Sequence, residues 1–235
     1  MRKNMSLLGK ILFTNRCILC GDVIELDDEF CEECKNPPVI SLPVCESCGC
    51  SKEDCCCKKH KNEYKAIAAP FYYEDKITAS VNRLKEQDMP QLADYLGECI
   101  ADTVSKSFND VKFDYITFVP LGELKKMRRG YNQAELLARA VAKINSIEIS
   151  EILYKRRYTK TLHKSNSGIN RKTLVFGAFD VYEESKKDIF GKTILLIDDV
   201  KTTGATLNEC AKMMKIYGAE AVYCATAAIT KGRDK

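Results

Sequence analysis

Residues 194–206 read ILLIDDVKTTGAT: an unbroken apolar run, two acids, then a threonine–glycine segment. With Thr193 in front, TILLI has the composition of a central parallel strand buried on both faces, and such strands place ligands at their carboxyl ends. Asp198 and Asp199 stand at that end. Carboxylates accept hydrogen bonds and ribose hydroxyls donate them, so the pair suits the 2′- and 3′-oxygens of a ribose, held directly or through a divalent ion. Lys201, Thr202, Thr203, Gly204, Ala205 and Thr206 follow at the start of an expected helix. Helix-terminal amides, a glycine that permits close approach and threonine hydroxyls together form a cradle for one phosphate. The distance along the chain from acids to cradle matches that from a ribose to its own 5′-phosphate. A capped turn would account for one acid and one threonine, but not for strand, acid pair and T-T-G-x-T in that order.

Outward from this run, strands alternate with helices. Residues 64–73 (YKAIAAPFYY) read as a strand or strand pair broken at Pro70, and 76–87 as a helix with Ile77, Val81 and Leu84 on one face. A second helix is expected over 91–108, a strand over 113–120 closed by Pro120, a helix over 132–144 and a short strand over 177–181. After the strand at 193–197 come a helix over 203–217, stopped by Gly218, and a last strand over 221–229. The alternation predicts an α/β fold, a parallel sheet flanked by helices, over residues 63–235.

Residues 1–62 are different in kind. Ten of thirteen cysteines lie between Cys17 and Cys57, in three C-x2-C pairs (Cys17/Cys20, Cys31/Cys34, Cys45/Cys48) followed by Cys50, Cys55, Cys56 and Cys57. The first four can surround one zinc tetrahedrally, with Gly21 letting the backbone turn near the metal. Cys45 and Cys48 need two more ligands, for which Cys50, Cys55, Cys56, Cys57 and His60 compete. Cys55 and Cys57 are preferred, because adjacent side chains diverge in extended backbone. A head this small buries little apolar surface, so one or two structural zinc ions should supply much of its stability. With two histidines in the whole chain, catalysis at zinc is not expected.

No apolar stretch approaches the roughly 20 residues that span a bilayer, and the basic opening MRKNMSLLGKILF is interrupted by Lys10 and lacks a cleavage site. A cytoplasmic, reducing location is expected, where paired cysteines hold metal rather than disulfides. Net charge is only +4, yet residues 121–173 carry thirteen Lys or Arg against four acids, about +9 by subtraction. Such a block suits phosphate-rich ligands, small or polymeric, and is also what a solvated face looks like. Within it, 156–171 is polar and basic, as expected of a hood over a pocket; His163 there reads as incidental, and Lys85, on an otherwise apolar helix face, is a further candidate for reaching phosphate.

The run at 194–206 resembles the phosphoribosyl pyrophosphate (PRPP) motif of type I phosphoribosyltransferases. That resemblance implies ribose contacts from Asp198 and Asp199, 5′-phosphate contacts from residues 202–206, and Mg2+ accompanying PRPP. The cysteine-rich head, Val119-Pro120-Leu121, the block Arg128-Arg129-Gly130-Tyr131-Asn132-Gln133-Ala134-Glu135-Leu136-Leu137 and the PRPP motif together resemble the ComF family. By that resemblance residues 120–123 meet pyrophosphate, and Arg128, Arg129, Gly130, Asn132 and Gln133 border the pocket. Arg129 suits bidentate contact with phosphate, while Asn132 also suits a helix cap. The hood departs from the family pattern, with Lys164, Ser167 and Leu174 at the places of Gln, Leu and Asn; Lys164 and Arg171 remain able to grip pyrophosphate. ComF proteins are linked to DNA uptake in natural transformation, which implies single-stranded DNA and competence-machinery proteins as partners, with Tyr131, Tyr154 and Tyr158 available for stacking on bases. The alternative is a metabolic phosphoribosyltransferase of nucleotide salvage or synthesis.

Overall fold

A computed structural model describes residues 15–57, 62–86, 89–156 and 177–231. The opening segment MRKNMSLLGKILF, His60, and the hood from Arg157 through Arg171, with Tyr158, His163, Lys164 and Ser167, lie outside the described residues, as does Leu174. In chain order the cysteine-rich segment carries β1 (Asn15–Arg16), β2 (Val23–Ile24) and α1 (Glu32–Lys35). There follow β3 (Ala66–Ala68), β4 (Phe71–Tyr72), α2 (Asp75–Glu86), α3 (Pro90–Ser107), β5 (Tyr115–Phe118), α4 (Glu123–Arg129) and α5 (Gln133–Asn145). The chain continues through β6 (Leu153–Lys155), β7 (Phe179–Val181), α6 (Ser185–Asp188), β8 (Thr193–Lys201), α7 (Ala205–Ile216) and β9 (Ala221–Ile229).

The TILLI run forms the first half of β8, which lies between β5 and β9 and is parallel to both. Its side chains alternate. Leu195 and Ile197 enter a core with α3 and α5, while Ile194 and Leu196 enter a second core with Leu207, Cys210 and Met214 of α7. All four β8 residues are fully buried; each such side chain contributes about 1.5–3 kcal/mol, so the strand is fixed in register from both faces. The sheet order is β3–β9–β8–β5, and β4 continues alongside β9 past Pro70, whose missing amide hydrogen divides β3 from β4. The result is a parallel sheet flanked by helices, as the alternation of strands and helices implies.

Three elements depart from the sequence expectations. β8 does not end at Ile197 but runs on to Lys201, because Asp198, Val200 and Lys201 pair with Thr226, Ala228 and Ile229 of β9. The segment 123–129 is helical although none of its residues is buried; without an apolar stripe it gave no periodic signal. It is closed by Gly130, whose φ of 83° lies in the left-handed region and whose amide bonds to the Lys126 carbonyl. Finally, the strand expected at 177–181 is half of an antiparallel hairpin with β6, too short to read as a strand on its own.

The cysteine-rich segment is not a pendant. Cys17, Leu19 and Cys34 share the core of α2 and α3. Phe30 and Tyr95 rings lie 4.9 Å apart, and the Arg83 guanidinium donates to the carbonyls of Cys17, Ile18 and Leu19. Among the described residues no helix is long and apolar enough to cross a membrane.

Helices α3 and α5 meet at Gly97, where an added Cβ would lie 2.3 Å from the Ala140 Cβ. Gly97→Val is therefore expected to force the helices apart and to destabilise the protein by about 1–3 kcal/mol. A lowered urea midpoint at unchanged slope would show this.

Candidate functional site

In the carboxyl-terminal half of β8, the two acids line a cavity of about 480 Å³. Pro120 and Leu121, from the loop after β5, line one wall together with Arg129 at the end of α4 and Asn132 and Gln133 at the start of α5. Lys155 and Phe179 of the β6–β7 hairpin stand opposite; Lys85 of α2, Lys125 of α4 and Thr206 of α7 complete the lining named here.

Asp199 is the better anchored acid. Its Oδ2 accepts from Gln133 Nε2 at 2.9 Å and forms an ion pair with Lys85 Nζ at 3.3 Å. Gln133 Oε1 in turn accepts from Arg129, so one buried carboxylate organises a chain of Arg129, Gln133 and Lys85. Asp198 has less support: among the described residues its Oδ1 accepts from the Asp199 amide alone, at 2.8 Å. Although its side chain keeps some contact with solvent across the cavity, surrounding protein pushes its carboxyl well above the ordinary range, and the Asp199 charge pushes it further. At the rim, Lys155 is lowered by loss of surrounding water and then by the nearby Lys125 ammonium.

Beyond the acids the chain turns through Thr202, Thr203 and Gly204, with Thr202 and Thr203 exposed. Gly204 caps α7 at φ 75°, and the Thr203 Oγ1 accepts from the Ala205 amide. The first-turn amides of α7 have no intrahelical acceptors, which leaves donors facing outward where an anion would sit. The Lys201 side chain, expected at the phosphate, is directed elsewhere. It is buried and donates to the Cys48 carbonyl at 2.9 Å, because β8 extends through position 201 and brings that residue against the cysteine-rich segment. Asn132 lines the cavity, but both ends of its amide are engaged: Nδ2 donates to the Val119 carbonyl and Oδ1 accepts from the Ala134 amide, capping α5.

Two sulfur clusters occupy the amino-terminal segment. The Sγ atoms of Cys17, Cys20, Cys31 and Cys34 lie within 4.8 Å of one another, as do those of Cys45, Cys48, Cys55 and Cys57. Cys45–Cys57 and Cys48–Cys55 are both separated by 3.6 Å, close to the roughly 3.8 Å edge of a tetrahedron with zinc–sulfur bonds of about 2.3 Å. Each knuckle turns through a left-handed glycine, Gly21 or Gly49, whose amide returns to the carbonyl of Cys17 or Cys45. At Cys17, burial pushes the thiol up, but backbone donors at Cys20 and Cys31 outweigh it and hold the group at about 7. Both clusters thus present four-sulfur sites that could hold zinc.

Residues 127–235 match the phosphoribosyl transferase domain family. Across nearly the whole chain, the protein is similar to Competence protein F of Haemophilus influenzae, 28% identical over 222 residues that cover 89% of this chain and 95% of the relative. It is 25% identical over 210 residues to DNA utilization protein YhgH of Escherichia coli K12, covering 88% and 86% of the two chains. Competence protein ComFC of Bacillus subtilis matches at 24% identity over 144 residues, 61% of this chain and 55% of that one. The similarity to competence and DNA-utilization proteins extends over most of the chain.

The cavity collects Pro120, Leu121, Arg129, Asn132, Gln133, Asp198, Asp199 and Thr206 from the candidates named on sequence, and its lining does not include Lys201, Thr202, Thr203, Gly204 or Ala205. Lys125 and Lys155 were not singled out by the sequence, since nothing in a basic block marks which ammonium faces inward. Lys85 carried the one available signal, a cation on an apolar helix face.

Asp198 favours its neutral form in the folded state more than in the unfolded chain. The stability of the free protein should therefore fall as pH rises from the ordinary carboxylate range through the raised folded-state value. Asp198→Asn is expected to melt about 2–4 °C above the native protein at neutral pH, the gain shrinking as the pH is lowered toward 4. Melting curves at several pH values check both the sign and the window.

Proposed function

We propose that the cavity binds PRPP together with Mg2+. Asp198 and Asp199 would receive the ribose hydroxyls, the 202–206 loop the 5′-phosphate, and the wall of Lys85, Lys125, Arg129 and Lys155 the pyrophosphate. The observation that carries the reading is the placement of an acid pair between an open phosphate cradle and a cation-lined wall, at the end of one strand. A ligand with hydroxyls in its middle and phosphate at both ends has that charge pattern. The hydrogen bond from Gln133 and the ion pair with Lys85 hold Asp199 in place before the ligand arrives, which lowers the ordering cost of binding. Bound Mg2+ would screen charge on the pyrophosphate. In a transfer reaction, a base nitrogen forms a bond to C1′ as the C1′–oxygen bond breaks and its electron pair departs with pyrophosphate. The chain's own groups position the ribose and neutralise the departing charge.

The biological setting we propose is the handling of DNA in uptake and competence, in the cytoplasm, with zinc in both cysteine clusters. The names of the relatives support it, as does the basic wall. Tyr154 and Tyr182, with ring centroids 5.0 Å apart beside Arg156, offer a face on which the bases of a single strand could stack. Tyr131, also expected to stack, spends its hydroxyl on the Leu84 carbonyl.

Calorimetry with PRPP and Mg2+ tests the ligand: Asp198→Asn combined with Asp199→Asn should abolish binding while the circular dichroism spectrum is kept, and unchanged affinity would overturn the assignment. Incubating PRPP, Mg2+ and a panel of bases separates the activities, since pyrophosphate released with one base identifies a transferase and its absence with all of them a binding protein. Affinity for a single strand should fall steeply with salt, about 0.7 log units per log unit for each phosphate contacted. Elemental analysis should find close to two zinc ions per chain, and one if Cys55 and Cys57 are both changed to Ser.

A further inference from the structure

Lys201 has a burial problem. The side chain is 9% exposed, and among the described residues no carboxylate forms an ion pair with it, so its ammonium carries a desolvation penalty that a single carbonyl does not offset. That carbonyl belongs to Cys48, one of the four sulfur residues of the second cluster. A zinc ion held by four thiolates has a net double negative charge, which is the counter-charge the ammonium otherwise lacks.

The same knuckle grips the phosphate loop a second time. The Ser47 carbonyl, one residue before Cys48, accepts from the Tyr64 hydroxyl at 2.9 Å and from Asn62 at the same distance. Gly204, which turns the loop into α7, sits against both holders: an added Cβ would lie 3.3 Å from Lys201 Cε and 3.5 Å from the Tyr64 hydroxyl. Thr230 bonds to the carbonyls of Lys201 and Thr202, so the start of the loop is held through its backbone by Thr230 and through the Lys201 side chain by the knuckle.

We propose that Lys201 is a positioning residue through which the metal knuckle of Cys45, Cys48, Cys55 and Cys57 holds the 202–206 loop in its ligand-ready shape. Affinity for the phosphoribosyl ligand is thereby coupled to metal in the cysteine-rich segment, a dependence that rests on the PRPP reading for its ligand but not for its geometry. Lys201 itself does not touch the ligand.

The test uses the full-length protein in four forms: native, Lys201→Met, Lys201→Arg, and the pair Cys55→Ser with Cys57→Ser, which empties the second site. Hydrogen exchange of the peptide spanning the loop is measured without ligand, and PRPP affinity by calorimetry. The expected result is faster loop exchange and about tenfold weaker binding in both Lys201→Met and the cysteine variant, with protection recovered in Lys201→Arg. Adding Lys201→Met to the cysteine variant should produce little further change, because both act through one contact. Equal loop protection in native, Lys201→Met and cysteine-variant proteins overturns the proposal, as does full additivity of the two changes. If the native protein binds no PRPP while loop exchange still responds to both changes, the ligand assignment falls and the positioning role stands.

Discussion

Two adjacent carboxylates at the floor of a cavity repel one another and lose hydration, and much of the architecture around them answers that constraint. Asp199 stays in place because Gln133 donates to it and Lys85 lies 3.3 Å away. Gln133 can do so because Asn132 caps α5 and ties its start to the end of β5. Arg129 then closes on Gln133 from a helix with no buried residue of its own. Pull the acids out of this network and α4 loses its most direct attachment to the cavity. The order of dependence runs from strand pairing, to acid placement, to the side chains that neutralise the acids.

Asp198 shows where that compensation stops. It has one backbone donor, where Asp199 has a side-chain donor and a cation. The free site therefore holds an electrostatic imbalance, and whatever brings donors or positive charge to Asp198 relieves it. Ribose hydroxyls and a divalent cation are groups of that type. An acid kept at a net disadvantage in the empty protein is better explained by what it binds than by what it stabilises, because a turn needing only one cap would be served by an asparagine without the repulsion.

Much of this was legible in the primary structure, and the reasons for success and failure are physical. The run Ile194–Ile197 announced a doubly buried strand because every position is apolar, and 221–229, apolar but for Thr226, did the same with boundaries matching β9. The helices at 76–87, 91–108 and 132–144 were legible because their apolar positions repeat with the helical period, and they appear as α2, α3 and α5 within about two residues at each end. Glu123–Arg129 was not, since ELKKMRR has no apolar face. The direction of the Lys201 side chain was not legible for a different reason: proximity in a motif says nothing about side-chain direction, and its partner, the Cys48 carbonyl, is 153 residues away in sequence. The Lys85–Asp199 pair is likewise non-local, and only the approach of α2 to the end of β8 reveals it.

That long-range partner changes what the amino-terminal cysteines mean. On sequence they form a separate staple for a segment too small to fold alone. In the structure, Leu19 is buried in the core of α2 and α3, Arg83 caps three carbonyls of the first knuckle, and the second knuckle reaches the phosphate loop through Lys201 and Tyr64. An independent staple would need none of these contacts with buried side chains of the sheet. Each of them orders a long side chain and withdraws polar atoms from water, a sacrifice that folding recovers only if the partners meet in one geometry. The cysteine-rich segment is therefore packed into the same core as α2 and α3 and against the start of the 202–206 loop, rather than standing apart as a separate staple.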